Sequence, residues 1–158
     1  MKKSLYVTQS AVIAALYVAL TLVSNALGLA NGAIQFRISE ALTILPAFTP
    51  AGIPGVVIGC FISNLLTDGV LANILGGTFA TLIGAVGTRL LRKHTPLVSV
   101  PPITANAFIV PFIIMYAYGV PGSYWYFALT VFIGEAVCAG IIGTAFAYSL
   151  KKRPELFN

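Results

Sequence analysis

Apolar residues run along this chain in long blocks, not in alternation. Six blocks stand out, over residues 4–27, 38–48, 53–66, 72–91, 103–118 and 124–150, with short stretches richer in Gly, Pro, Asn and Asp between most of them. A membrane-crossing helix needs about 20 residues of this character, whereas a transmembrane β-barrel needs alternation at period two. The pattern predicts an all-α integral membrane protein, a six-transmembrane-helix bundle forming one membrane-embedded domain over residues 1–158. The second block is the odd one. At 1.5 Å per residue it covers only about 16 Å, Pro46 sits within it, and Pro50 and Pro54 follow. Such a segment is tolerated where protein covers it or where it lines a cavity. Ser39 is the expected N-cap of this short helix.

Small residues recur at four-residue spacing in the first block (Ala11, Ala15, Ala19) and again at Gly55/Gly59 and Ala136/Gly140/Thr144. Each set makes one helix face smooth enough for another helix to approach closely. For the first helix two uses stand open: packing inside the bundle, or docking to a separate membrane protein.

Composition sharpens this picture. The chain is 58% hydrophobic and 8% charged, against about 25% charged in soluble domains. Six helices use nearly all of its 158 residues, which leaves no room for a soluble catalytic domain. The formal charge of +5 does not point to nucleic acid, because the positive residues lie in three clusters that each abut an apolar block: Lys2/Lys3, Arg89/Arg92/Lys93 and Lys151/Lys152/Arg153. Cytoplasmic flanks carry such clusters. With six passes, both termini and the loop after the fourth helix share the cytoplasmic side, while Arg37 and Asp68 fall on or near the other. Lys2/Lys3 and the apolar residues 11–23 imitate the start of a signal peptide, but no clean cleavage site follows. Cys60 and Cys138 lie within apolar runs and are expected to pack, not pair. No internal repeat is present, which weighs against a complete secondary transporter.

The chemistry is confined to few residues. No phosphate-binding loop motif occurs, and the one histidine, His94, lies in a basic loop, so neither nucleotide hydrolysis nor a His-based metal or catalytic site is expected. What remains is the stretch QFRISEA, which sets Arg37 and Glu40 three residues apart, and Glu135 within VFIGEAV. A charge at membrane depth marks a functional site by default. Arg37 and Glu40 are spaced to neutralise each other on a helix surface; Glu135 has no basic residue within ten positions and needs a partner from elsewhere or a proton. Asp68, Asn64 and Asn106 add polar groups, with helix glue or a simple loop acid as the alternative reading. Aromatic residues near the outer helix ends, Trp125 among them, read as interface anchors, one or two of them free to stack on a planar ring.

At QFRISEALTILPAF, IPGVVIGCFISNLL, PPITANAF and IGEAVCAGIIG, in that order, the chain resembles the QueT family, the substrate-binding (S) components of energy-coupling-factor (ECF) transporters for queuosine precursors. The resemblance covers nearly the whole chain. It implies an S-component fold, a location in the bacterial cytoplasmic membrane, and a complex with a transmembrane coupling protein and two cytoplasmic ATPases. It also implies that the Ala11/Ala15/Ala19 face docks the coupling protein. The implied ligand is 7-aminomethyl-7-deazaguanine or a close relative, with no cofactor and no enzymatic activity. A guanine edge offers paired N–H donors to a carboxylate, its carbonyl calls for Asn106, Asn64 or Arg37, and the aminomethyl group calls for a second acceptor. Glu40 and Glu135 are the candidates for the two acidic roles, with Asp68 in reserve; which takes which group, and whether the ligand is the aminomethyl or nitrile form, stays open. The alternative is a stand-alone proton-coupled carrier with Glu135 as its proton site.

Overall fold

The computed structural model describes residues 3–30, 34–153 and 155. Lys2 of the first basic cluster and residues 31–33 of the first loop lie outside them. Every regular element among the described residues is helical. Helix α1 spans Lys3–Ala26, α2 Gly52–Thr67, α3 Leu71–Leu90 and α4 Val100–Phe112. A π-helical turn, Ile113–Ala117, extends α4. Helices α5 (Tyr124–Glu135) and α6 (Thr144–Lys151) form one rod joined by a π-helical stretch, Ala136–Gly143. Four segments are long and apolar enough to cross a membrane: Lys3–Ala26, Leu71–Leu90, Thr95–Ala117 and Tyr124–Lys151. Gly52–Thr67 and Ile38–Ala47 are apolar but shorter.

Ile38–Ala47 departs from expectation in a physically instructive way. It is a 3-10 helix, not an α-helix, and Ser39 is not its cap. Arg37 occupies the flanking position and offers no capping side chain, while Ser39 lies inside the helix and accepts a hydrogen bond from the Thr21 hydroxyl at 2.8 Å. The tighter winding rises about 2.0 Å per residue, so ten residues reach about 20 Å instead of about 15 Å. Runs of this kind beyond three or four residues are uncommon, and tertiary contacts sustain this one: every residue from Ser39 to Pro46 is buried. At its far end the Arg89 guanidinium donates to the carbonyls of Pro46 (3.1 Å) and Ala47 (3.4 Å), which the helix leaves without partners. Arg89 thus has a structural task beyond marking a flank.

The segment threads the middle of the bundle, against α1, α3 and the π-helical stretch of the last rod. Three rungs tie it to one face of α1: Tyr17 donates to Glu40 at 2.5 Å, Thr21 donates to Ser39, and the Ile38 amide donates to Ser24 at 3.0 Å. The spacing 17, 21, 24 is a single helical face. Polar groups thus share the interior with an apolar core that includes Ile13, Leu42, Ile44, Val56 and Ala85. Serine, threonine, asparagine and both carboxylates are buried there, while Val7, Leu16, Ile58, Leu65, Leu75, Phe79, Phe108 and Ile141 stand exposed on the outside. A water-soluble domain distributes these residues the other way round; lipid makes this arrangement stable.

The smooth faces split between two uses. Gly55 and Gly59 bring α2 against α1, and a Cβ added at Gly59 would stand 2.7 Å from the Tyr17 Cβ. Thr144 shares a hydrogen bond with Ser99 at 3.2 Å, so that face packs inside. Ala11, Ala15 and Ala19, by contrast, are all exposed; packing within the bundle does not account for them.

Gly59→Ala should destabilise the protein by about 1–3 kcal/mol, because neither backbone nor Tyr17 Cβ can rotate out of the contact. The thermal unfolding midpoint in detergent checks this, and an unchanged midpoint would mean that α1 and α2 are not packed as described.

Candidate functional site

One buried carboxylate lies within an irregular helix and the other immediately before one. Glu40 is in the first turn of the 3-10 helix, and Glu135 is the last residue of α5 before the winding widens. The 3-10 helix and the π-helical stretch pack on each other, with Ala41 and Ile44 of one against Gly143 of the other. Close approach of the Gln35 backbone to α5 requires the glycine before Glu135, since a Cβ on Gly134 would come within 2.2 Å of the Gln35 carbonyl oxygen. π-helical turns recur at functional sites.

Each carboxylate is held by one oxygen only. Glu40 Oε1 accepts from the Tyr17 hydroxyl at 2.5 Å, and Glu135 Oε1 accepts from Asn106 Nδ2 at 2.9 Å. Glu40 is 2% exposed and Glu135 8%, and the Oε2 atom of each is buried without a hydrogen-bond partner among the described residues. Buried polar atoms are rarely left so. Both side chains line one hollow of about 40 Å³, together with Arg37, Cys60, Thr81 and Asn106.

Next to this hollow lies a cavity of about 560 Å³, within the usual range for small-molecule sites. It sits at the end of the bundle where α1 and α2 finish and α3 and α5 begin. Gln35, Arg37, Asn73, Val110 and Val131 line both spaces, so hollow and cavity adjoin through common walls. The cavity also presents Asn25, Asp68, Thr130 and the rings of Tyr118, Tyr126 and Phe127. Asp68 accepts hydrogen bonds from Asn73 and Tyr118, which ties the end of α2 to the start of α3 and to the loop after α4. Burial, and then the bond to Asp68, holds the Tyr118 hydroxyl above its usual pKa, so it remains a donor.

The residues singled out from sequence thus fall into three groups. Glu40, Glu135, Arg37 and Asn106 meet at the hollow, and Asp68 faces the cavity beside it. Asn64 lines neither space but positions Arg37, whose Nη2 donates to Asn64 Oδ1 at 2.5 Å. Arg37 therefore turns to an amide, and its expected pairing with Glu40 is replaced by the Tyr17–Glu40 bond. Trp125 is 76% exposed, sets its ring edge against Tyr124, and reaches neither space; it stands with the outer aromatic belt. Tyr17, Gln35 and Asn73 escaped notice in the sequence. Tyr17 alone carried a signal, as one of the polar residues at 17, 21 and 24 that share one helical face.

Four apolar helices long enough to span a bilayer, around an interior that holds buried carboxylates, describe a multi-pass membrane protein. Comparison with known proteins agrees. The family model described as QueT transporter matches residues 7–152, and the chain belongs to that transporter family, which is not a family of enzymes. Over 83 residues, 52% of this chain and 49% of the relative, it is 38% identical to the queuosine precursor transporter QueT of Lactococcus lactis subsp. cremoris (strain MG1363). The matched stretch spans about half the length of that curated relative. No solved structure matches the chain.

Tyr17→Phe removes the donor that orients Glu40 and should weaken ligand binding by about 1–3 kcal/mol while the fold persists. Titration of the purified variant checks this; unchanged affinity would show that the orientation of Glu40 is immaterial to binding.

Proposed function

We propose that this chain is the membrane substrate-binding component of an ECF-type importer, and that it captures a queuosine precursor, 7-aminomethyl-7-deazaguanine or a close relative, from outside the cell. In this reading six helical segments cross the bacterial cytoplasmic membrane with both termini inside. The observation that carries the reading is the pair of buried carboxylates, each with one unpartnered oxygen, at the inner side of a cavity sized for a small heterocycle. A flat, donor-rich base completes such a site. Its ring lies among Phe127, Tyr126 and Tyr118, its donor edge faces Asp68 or one of the glutamates, and its carbonyl faces Arg37 or Asn106. The name of the Lactococcus relative supports the ligand class.

The positions of the basic clusters support the orientation. Arg89, Lys151 and the start of α1 stand at the end of the bundle opposite the cavity, where Arg89 meets Ala47 and Lys151 meets Thr95. The cavity then opens outward under the positive-inside rule. The exposed row Ala11, Ala15 and Ala19 supports the partnership, because a smooth face on a membrane helix is a surface for another helix. A transmembrane coupling protein would cover it, and two cytoplasmic ATPases would supply the energy. The lipid bilayer surrounds the rest; no cofactor is required.

Calorimetry of the purified protein with a panel of purines and deazapurines should show strong, selective heat for deazaguanines, and a flat response across the panel would end the proposal. Ala15→Leu should abolish assembly with the coupling protein in co-purification while leaving that heat intact. Loss of both together would instead make α1 a simple packing element, and uptake that persists in cells lacking the ATPases would identify a stand-alone carrier.

A further inference from the structure

We propose that Asn64 is a positioning residue that holds the Arg37 guanidinium away from Glu40 and Glu135, and so keeps both acids open to the ligand. This rests on the reading of the chain as a deazaguanine binder and names the residue that keeps its site in binding order.

The partner that Arg37 takes is the first ground. Arg37, Glu40 and Glu135 line one hollow. A guanidinium on a carboxylate makes two parallel bonds between ions and is among the strongest side-chain pairings. Arg37 Nη2 instead donates to a neutral amide oxygen, Asn64 Oδ1, at 2.5 Å. Glu40 Oε1 accepts from Tyr17 and Glu135 Oε1 from Asn106, and neither Oε2 has a hydrogen-bond partner among the described residues. Charge alone would move the guanidinium onto one of those oxygens.

The fixity of the amide is the second ground. Asn64 is fully buried in the last turn of α2. Its Nδ2 donates to the Asn73 carbonyl at 3.3 Å and to the Cys60 sulfur at 3.5 Å. Turning the amide over would set nitrogen against guanidinium and oxygen against carbonyl, so Oδ1 is committed to Arg37. Helix α3 leaves room for this arrangement: a Cβ added at Gly77 would stand 2.9 Å from Asn64 Nδ2. Asn64 lines neither the hollow nor the cavity, so it acts through Arg37.

The backbone at Arg37 is the third. Arg37 stands just ahead of the 3-10 helix with φ −103° and ψ 100°, an extended conformation. An arginine side chain has many rotamers, and here it takes its direction from the acceptor it finds. Without the Asn64 oxygen, the charged acceptors on the hollow are Glu40 and Glu135. The site would then neutralise itself, and a ligand would have to displace an ion pair before meeting an acid. The open arrangement becomes the minor state, and apparent affinity falls with its population. Removing Arg37 as well takes the competitor away and returns the acids to the ligand. An asparagine that only filled space would allow no such rescue.

The test is calorimetry of the full chain in detergent with 7-aminomethyl-7-deazaguanine, on the wild type, Asn64→Ala, Arg37→Gln and the double variant. A single species in size exclusion with unchanged helical dichroism certifies each fold. Should Asn64→Ala not fold, Asn64→Leu, close to asparagine in volume, carries the same expectation. Asn64→Ala should bind about 30-fold more weakly than wild type, as for an open fraction of about one in thirty. Arg37→Gln should lose less, and the double variant should bind more tightly than Asn64→Ala, at the level of Arg37→Gln. Wild-type affinity in Asn64→Ala would overturn the inference. So would a double variant no tighter than Asn64→Ala, or an Arg37→Gln loss as large as that of Asn64→Ala, which would make Asn64 a simple support for an arginine that holds the ligand itself. Those three results leave the chain a deazaguanine binder. No binding by the wild type would overturn this inference and the proposed function together.

Discussion

An ionised carboxylate gives up several kcal/mol of hydration when it leaves water, and lipid offers no donor in exchange. Glu40 and Glu135 live under that constraint, and the bundle answers it halfway. One donor each, from Tyr17 on α1 and Asn106 on α4, turns the carboxylates and holds them, and none of the described residues satisfies the remaining oxygens. A group buried only for packing would be fully satisfied or replaced by an apolar one, since half-satisfied polar groups in a low dielectric are costly. In the proposed function those two oxygens are the points at which donors of the ligand fall.

The backbone at Glu40 and the backbone directly after Glu135 both depart from the ordinary α-helix. Ile38–Ala47 does so by stretching, and Ala136–Gly143 by widening. Each irregular segment is tolerable because the other covers it: the 3-10 helix is buried along its length, and Gly143 lets it lie close. Irregular backbone facing lipid would leave groups unpaired; placed in the centre, it brings Glu40 and Glu135 to one hollow from elements 95 residues apart in the chain.

Much of this was legible in the residues. Blocks of apolar sequence gave the helices in order and nearly to their ends, because a lipid environment imposes a length and a composition that soluble folds do not. The rarity of charge made Arg37, Glu40 and Glu135 conspicuous for the same reason. Partner choice was not legible. The three-residue spacing of Arg37 and Glu40 suggests an ion pair on an α-helical surface, but the chain there winds as a 3-10 helix, and Arg37 lies ahead of it and turns to Asn64. Tyr17 looked like one more membrane aromatic because its role depends on a contact 23 residues away. Trp125 illustrates the converse, since an aromatic near a helix end has the same local signature whether it faces lipid or ligand.

Helix α1 has two working sides, and this sets what its motion can do. Its outer side carries Ala11, Ala15 and Ala19, with Val12 and Leu16 exposed beside them. Its inner side carries Tyr17, Thr21 and Ser24, bonded to Glu40, Ser39 and the Ile38 amide. A force applied to the outer side of a rigid helix reaches the inner side directly, because the three rungs are spaced along one face and strain together. Loss of the Tyr17 rung alone would free Glu40 to turn from the hollow, whereas the other two bear on backbone position. The residue that orients an acid of the candidate site thus belongs to the same helix as the exposed alanine row to which the proposed partner is assigned, and no intermediary element is needed between them.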